Sequence, residues 1–534
     1  MQSIVYRSKV FLGKYPLFLF LLPVFFIYSG YNELFGFLSA GFIFYNFAIV
    51  IVSTFVVYAA VYFSMKEKKS AAIFTFFLLL FNLTFGFIFD SFKKITLSPI
   101  FGKYVFILPF SLGLFLILFI VLKKRKIGTD AYTFLNLLFI VLILSEIPNS
   151  IKRYQLDKSV HNLIDFRFNA YNEYHPVVKQ EDSLKPDIYF LIFDAMASSK
   201  SILTTTGKSI SDLDSFLTSR GFYLATNAKA NYNWTIHSVS STLNMDYLPP
   251  WIAPVMNDLK VYFWGSSSFK DNSLFRILQK ENYVVNSYQP ISFNNEQWPG
   301  DSYFTNLKKY HFSFKTLPGR IYKDIFWNYT RINIDLIHKH QLDLIHQRSV
   351  VKKTYFDTTI SLVKQSCSQT GKPKFVYGHF MLPHEPYVFD STGNLKAPEK
   401  TIVKNSQEDL TGYYEQLRFA TTTIRELVTF IQANNKKNTI IIVAGDHGFK
   451  TKEAQENGYA FNNYSAFYFP DRQYQSLYDS VSPVNTFRLV LNKYYHANLR
   501  LFKDSSTLVG TENTEAIKKS EKIPPTHTPS TPNQ

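Results

Sequence analysis

Five long apolar runs fill the first 150 positions, at 15–29, 42–63, 71–88, 104–122 and 131–147, with short charged or polar breaks between them. Each approaches the ~20 residues that a helix needs to cross the hydrocarbon core of a bilayer. The first is short, but it extends backward over 11–13. Buried core helices are the alternative reading, yet five in tandem on such short links do not look like a soluble fold. No small-residue cleavage site follows the first run, which argues against a cleaved leader. The pattern predicts a membrane domain over 1–150 built from five transmembrane helices.

From 186 the pattern changes to short continuous apolar runs alternating with amphipathic ones. "DIYFLIFDAM", "FYLAT", "KFVYGHFM", "TIIIVAGDHG" and "SAFYF" read as strands. "SDLDSFLTSR" reads as a helix with Ser211 as N-cap and Gly221 at its end, and "NSLFRILQKENYVVNSY" as a helix followed by a strand. "SQEDLTGYYEQLRFATTTIRELVTFIQANN" is a long helix with Leu417, Ala420, Ile424, Leu427 and Ile431 on one face. "SPVNTFRLVLNKYY" carries Ser482 as cap and Pro483 at the first helical position. Strands that are apolar throughout are buried on both faces. The fold expected over 186–505 is therefore an α/β domain with a mostly parallel sheet.

A polar connector, 151–185, joins the two parts. Its segment "LIDFRFNAYNEYHP" either sets phenylalanines and tyrosines in the headgroup layer or is an ordinary amphipathic linker. The end of the chain, 506–534, includes "KKSEKIPPTHTPSTPNQ" and reads as a polar, disordered tail.

A formal charge of +17 suggests a polyanionic partner until it is located along the chain. Residues 1–153 hold 15 Lys/Arg against 5 Asp/Glu, a net of +10, and the other 381 residues carry +7. Arg7, Lys9, Lys14, Lys66, Lys68, Lys69, Lys123, Lys124, Arg125 and Lys126 flank one set of helix ends, and only Lys93, Lys94 and Lys103 flank the other. This ten-to-three bias follows the positive-inside rule. It puts the amino terminus in the cytoplasm and everything after the fifth run outside. The charge belongs to the membrane region, so no nucleic-acid partner is expected. A single cysteine, Cys367, excludes an intramolecular disulfide, and an external domain of this size has a core large enough without one.

Candidate chemistry lies at strand ends, where parallel α/β sheets collect function. Asp194 ends "YFLIF", His379 ends "KFVYG" with His384 five residues on, and Asp446 and His447 end "TIIIVAG". Alone, each is matched by a capping or structural role. Five Asp and His at three strand ends are harder to explain that way, and carboxylate and imidazole are ligands for divalent cations. Between them, "NAKANYNWTIHSVSSTLNM" leads into a helix near Thr235. A hydroxyl at a helix start faces free N–H groups and the positive dipole end, which favour its anion and a bound phosphate. Thr235 is either that nucleophile or simply an N-cap; Ser198, Ser199 and Ser238 are weaker rivals.

An Asp at the first strand end, a hydroxyl 41 residues later, His-x4-His and then Asp-His-Gly resemble the alkaline phosphatase/sulfatase superfamily. The resemblance extends to about residue 505. It is closest to the membrane-anchored branch that contains lipoteichoic acid synthases and phosphoethanolamine transferases, which also place five transmembrane helices before an external catalytic domain. It implies a metal held by Asp194, Thr235, Asp446 and His447, with Zn²⁺ or Mn²⁺ ahead of Mg²⁺ or Ca²⁺. His384 and His379 would contact substrate or a second metal. It further implies a multi-pass protein of the bacterial inner membrane that moves a phospho-headgroup from a membrane lipid to an envelope glycan or lipid through a phosphothreonine. This chain departs from the pattern in several places. "TIHSV" stands where sulfatases carry Cys/Ser-x-Pro/Ala-x-Arg, and Asp194 is followed by Ala195 rather than a second Asp. Phosphoethanolamine transferases usually have disulfides and another His soon after Asp-His-Gly, whereas here no His follows until His496. Two other readings stand beside this one, a hydrolase of phosphate or sulfate esters and an inert envelope protein that keeps the fold.

The charge bias makes a direct prediction about topology. A reporter fused after Lys126 is expected to read cytoplasm, and one fused after Asp187 the exterior. A cytoplasmic signal from the second fusion would remove the lipid-headgroup reading along with the orientation.

Overall fold

The computed structural model describes residues 10–33, 38, 40–94, 102–125, 127–158, 168–176, 185–248, 265, 268–290, 312–322, 324, 335–403, 405–435, 438–450 and 458–509. The described chain forms two compact units. The first holds the helices up to 158 together with 312–324, and the second holds most of the remainder.

The first unit begins with α1 (Phe18–Glu33), α2 (Ala40–Met65), α3 (Lys68–Lys94), α4 (Tyr104–Lys124) and α5 (Thr129–Lys158). Among the described residues four helices, α2 to α5, are long and apolar enough to cross a membrane. The first of the five expected spans is shorter. Its 16 residues rise about 24 Å, less than a hydrocarbon core of ~30 Å. The chain is helical over 10–14 but breaks at Tyr15–Pro16, where proline lacks the N–H that a continuing helix requires. Buried Asn136 of α5 repairs this break. It accepts from Phe18 N (2.6 Å) and donates to the carbonyls of Leu12 (2.7 Å) and Tyr15 (2.8 Å). A polar group placed to satisfy free main-chain atoms is what an apolar surrounding requires.

Residues 312–324 pack on the same unit, although they follow the third strand of the α/β region in sequence. Gly86 donates its N–H to the Lys315 carbonyl at 2.8 Å, and a Cβ at Gly86 would lie 2.5 Å from the Phe314 carbonyl oxygen. Arg320 pairs with Asp90, and Tyr104 donates to Asp324 at 2.7 Å.

The second unit is built on six strands: β1 (Asp187–Phe193), β2 (Tyr223–Leu224), β3 (Val284–Tyr288), β4 (Lys374–Phe380), β5 (Thr439–Gly445) and β6 (Ser465–Tyr468). Their order is β2-β6-β5-β1-β4-β3. The sheet is mixed: β3, β4, β1 and β5 run parallel, while β6 is antiparallel to both β5 and β2. All seven residues of β1, β4 and β5 are buried, as continuous apolar runs require.

The sheet is flanked by α6 (Ser199–Thr206), α7 (Ser211–Ser219), α8 (Thr235–Asn244), α9 (Ser273–Lys280), α10 (Asp335–Ser366), α11 (Ser406–Asn434) and α12 (Pro483–Tyr495). Tyr189, Leu191 and Phe193 of β1 enter one core with Leu417, Ala420, Ile424, Leu427 and Ile431 of α11. On the alternate positions Phe190 meets Phe487 of α12 edge-on at 5.0 Å. Ser211 does not cap α7; Ile210 occupies that position, and Ser209 Oγ accepts from Ser211 N at 3.0 Å.

In the connector, residues 159–167 and 177–184 lie outside the described set. Phe168 and Tyr174 are buried in protein rather than placed at a lipid headgroup layer. Of the expected tail, 510–534 lie outside the described set, while 506–509 run beside the loop that precedes α8. Ser506 Oγ donates to the Ala230 carbonyl (2.8 Å), Thr507 N to the Asn231 carbonyl (2.8 Å), and Val509 N to Asn233 Oδ1 (2.8 Å).

Asp187 opens β1 at full burial, 2.9 Å from the Lys374 ammonium, and accepts from Lys374 N and Asn435 Nδ2, each at 3.0 Å. Removing one member of a buried pair leaves the other charge uncompensated. Asp187→Ala should therefore cost about 3–5 kcal/mol of stability, read as a lower unfolding midpoint of the α/β unit.

Candidate active site

Parallel register brings the site together. Phe193 of β1 lies level with Gly445 of β5 and with Phe380 of β4, so the residues that follow these strands share one edge of the sheet. Asp194 and Asp446 come side by side there, and His379 lies level with Ile192. Gly445 permits the approach. A Cβ at this position would lie 2.1 Å from the Met196 carbonyl oxygen. The turn after β1 is tight, with Ala195 at φ 63, and Tyr413 of α11 braces it by donating to the Ala195 carbonyl at 2.9 Å.

Asp446 Oδ1 accepts from Ala195 N and His447 N, both at 2.9 Å. Ser238 donates to the Asp446 carbonyl at 2.5 Å. Asp194 Oδ2 faces His379 Nε2 at 3.4 Å and the Thr235 hydroxyl at 3.5 Å. His447 Nδ1 donates to the Gly448 carbonyl at 2.8 Å, which leaves Nε2 as a lone-pair nitrogen. That nitrogen lies 3.6 Å from Asp194 Oδ1, 3.3 Å from Asp446 Oδ2 and 3.2 Å from Thr235 Oγ1.

Thr235 is the first residue of α8. Trp234 holds the cap position and makes no side-chain cap. The Thr235 hydroxyl therefore does not close its own helix; it faces the carboxylates and the imidazole. Of the rival hydroxyls, Ser198 accepts from Ser201 N as the cap of α6, Ser238 is committed to the Asp446 carbonyl, and Ser199 Oγ is buried without a partner.

The two histidines of β4 and its exit differ. His379 is fully buried, with Nδ1 2.7 Å from the Tyr377 hydroxyl and Nε2 toward Asp194. His384 is half-buried, its Nδ1 2.5 Å from the Glu385 carbonyl and its main-chain N donating to the Asp194 carbonyl at 3.2 Å. Two lysines that sequence reasoning passed over stand close by. Lys450 lies 4.2 Å over the Trp234 ring, and buried Lys352 of α10 donates to the His384 carbonyl.

Burial disfavours charge throughout this cluster. It raises the Asp194 pKa, but His384 and the His379 hydrogen bond outweigh it and hold the group well below the usual carboxylate range. Burial, reinforced by the Asp194 charge, pushes Asp446 up to about 6. Burial and Lys450 keep His447 neutral by lowering its pKa far below normal. Burial also brings Lys352 down to about 7.

Among the described residues two oxygens in the cluster have no hydrogen-bond partner, Asp194 Oδ1 and Asp446 Oδ2, and both are buried. Buried carboxylate oxygens without donors are costly. Asp194, Asp446 and His447 each offer one atom that could ligate a metal, all within 4.8 Å of one another. Two carboxylates, a lone-pair imidazole and a hydroxyl at this spacing fit one divalent cation.

The sulfatase family profile matches residues 190–485, which spans this cluster. Among solved structures, the zinc complex of the C-terminal periplasmic domain of EcEptC from Escherichia coli is similar at 10% identity and a TM-score of 0.36, covering 63% of this chain and 91% of that one. The C-terminal periplasmic domain of phosphoethanolamine transferase EptC from Campylobacter jejuni matches at 10% identity and 0.33, covering 60% and 90%. Lipooligosaccharide phosphoethanolamine transferase A from Neisseria meningitidis matches at 12% identity and 0.32, covering 90% and 94%. No curated protein sequence matches this chain.

The unpartnered oxygens predict metal uptake. Purified protein should retain a divalent cation after dialysis, and Asp446→Asn, which exchanges an anionic ligand for a neutral one, should lower its occupancy sharply. Metal binding must displace any proton from Asp446, so affinity should fall as pH drops below about 6. Elemental analysis across pH measures both effects.

Proposed function

The chain belongs to the sulfatase family, which matches more than half its length, and from that premise we propose a membrane-bound, metal-dependent transferase. It moves a phospho-headgroup from a lipid donor to an envelope glycan or lipid through a phosphothreonine at Thr235. The observation that carries this reading is the Thr235 hydroxyl. It stands free of its own helix cap and 3.2 Å from the lone pair of His447, at the edge of a carboxylate pair with unpartnered oxygens.

Asp194, Asp446 and His447, with Thr235, would hold the cation. When bound, it supplies positive charge that favours the threonine alkoxide and the charge gathering on the phosphoryl oxygens. Thr235 loses its proton to solvent, and its oxygen attacks the donor phosphorus. The bond from phosphorus to the lipid oxygen breaks, and that oxygen takes a proton from His384, which is half-buried at the mouth. In the second half the acceptor hydroxyl gives its proton to His384 as its oxygen attacks phosphorus, and Thr235 departs. His379, enclosed with both ring nitrogens engaged, holds Asp194 rather than reaching substrate.

In this reading, supported by the charge bias and the apolar helices and by the family resemblance, it is a multi-pass protein of the bacterial inner membrane with its α/β unit outside. The "TIHSV" context and the Ala195 that follows Asp194 favour phosphate over sulfate esters. A hydrolase would share the first half-reaction and use water as acceptor.

Thr235→Ala keeps the start of α8 but has no oxygen to transfer to. It should abolish release of labelled headgroup from a lipid donor while the protein remains folded and inserted. Loss of a helix cap alone costs only about 1 kcal/mol and would leave turnover largely intact. Wild-type protein trapped with donor should carry its phosphoryl adduct on the Thr235 peptide. An adduct on Ser198, Ser199 or Ser238 would refute the nucleophile assignment.

A further inference from the structure

Lys352 and Gln416 come from two different helices, α10 and α11, and converge on one loop. The Lys352 ammonium donates to the His384 carbonyl at 2.6 Å and the Pro386 carbonyl at 2.9 Å. Gln416 Nε2 donates to the Pro383 carbonyl at 3.1 Å and to the same His384 carbonyl at 2.9 Å, while its Oε1 accepts from Phe389 N at 3.2 Å. Both side chains are buried, Lys352 at 1% and Gln416 at 0% exposure. Lysine is an expensive way to fill such a position, because an ammonium away from water loses its hydration and a methionine of similar length would pack without that loss. Among the described residues its hydrogen-bond acceptors are main-chain oxygens, those of His384 itself and of Pro386, and His384 is half-exposed at the site.

The neighbouring turns of the two helices act on the same region. One turn beyond Lys352, the Tyr355 hydroxyl donates to the His379 carbonyl. One turn before Gln416, the Tyr413 hydroxyl donates to the Ala195 carbonyl. Residues three apart share a helix face. Each helix thus presents a pair of polar side chains to the main chain of the site, and none of the four reaches a reacting atom.

We propose that Lys352 and Gln416 are positioning residues for His384, fixing from two sides the loop whose main-chain N–H at His384 meets the Asp194 carbonyl, so that its imidazole is held at the site. For its catalytic consequence this rests on the reading of His384 as proton donor; for its structural content it does not. With the loop pinned at Pro383, His384 and Pro386, the imidazole has only its own side-chain rotation left, and its Nδ1 contact with the Glu385 carbonyl limits that as well.

The test uses full-length protein in detergent and two readouts. The first is the rate at which diethyl pyrocarbonate acylates each histidine, followed peptide by peptide in the mass spectrometer. In Lys352→Met the His384 rate should rise several-fold over wild type, while the exposed control His496 is unchanged. The second is turnover of a labelled lipid donor. Lys352→Met should lower kcat with little change in KM, toward the roughly hundredfold loss expected of His384→Ala when a general acid is removed. The double variant should be no slower than His384→Ala alone, as residues acting through one group require.

Gln416→Met carries the same expectations and serves if Lys352→Met does not fold. An unchanged His384 acylation rate in both variants overturns the proposal, and so does a double variant slowed by the full product of the single losses. If acylation accelerates but His384→Ala keeps its turnover, the positioning role stands and the assignment of His384 as proton donor fails instead.

Discussion

The site depends on two carboxylates kept next to each other out of water. Asp194 and Asp446 follow adjacent parallel strands, and the register that aligns Phe193 with Gly445 leaves them no room to diverge. Like charges at this range in a dry interior oppose each other, and the structure resolves the conflict unequally. Imidazoles surround Asp194 and keep it ionised, whereas Asp446 is pushed toward the neutral form. Each carboxylate has one oxygen tied down and one left bare. The bare pair, with a nitrogen lone pair across from it, attracts positive charge to one point.

Around that point the labour is divided between rigid and irregular parts. Strand ends and loops supply the groups that face the cluster, as functional residues on a fixed scaffold usually do. The long helices supply the groups that hold those loops by their main-chain atoms. Tyr413 and Gln416 of α11 brace the turn after β1 and the His384 loop, and Lys352 and Tyr355 of α10 brace the two histidine-bearing segments. A site assembled from three strand ends and a helix start tolerates little drift, and these four side chains restrict it.

The cluster of two carboxylates and an imidazole was legible because residue type and position coincide: a carboxylate or imidazole directly after a buried apolar run has few structural reasons to be there. Asp194, Asp446 and His447 meet that condition, and the structure brings them together. Thr235 was legible only as a hydroxyl near a helix start. Its direction, away from a cap and toward His447, depends on contacts more than 200 residues apart in the chain. The positioning residues were not legible. Lys352 and Lys353 are adjacent lysines in one helix; the second pairs with Asp357 on the exposed face, the first is buried, and pattern alone does not say which neighbour points inward. Near the amino end, Pro16 is visible in its apolar run, but the break depends on whether a distant Asn136 is there to satisfy the freed groups. The sheet is mixed where a mostly parallel one was expected: β6, Ser-Ala-Phe-Tyr with only its two central residues buried, runs antiparallel, and its composition does not mark its direction.

The strand-like run of 506–509 beside Ala230–Asn233 has a consequence in time rather than in space. The loop that delivers Thr235 is completed by residues lying some 270 positions further along the chain. A ribosome makes the apolar helices and the Thr235 loop before it makes this stretch. Thr235 therefore leaves the ribosome well before the segment that braces its loop exists. A chain that stops short of residue 506 lacks that brace, so Thr235 acquires its setting only after these residues have been made.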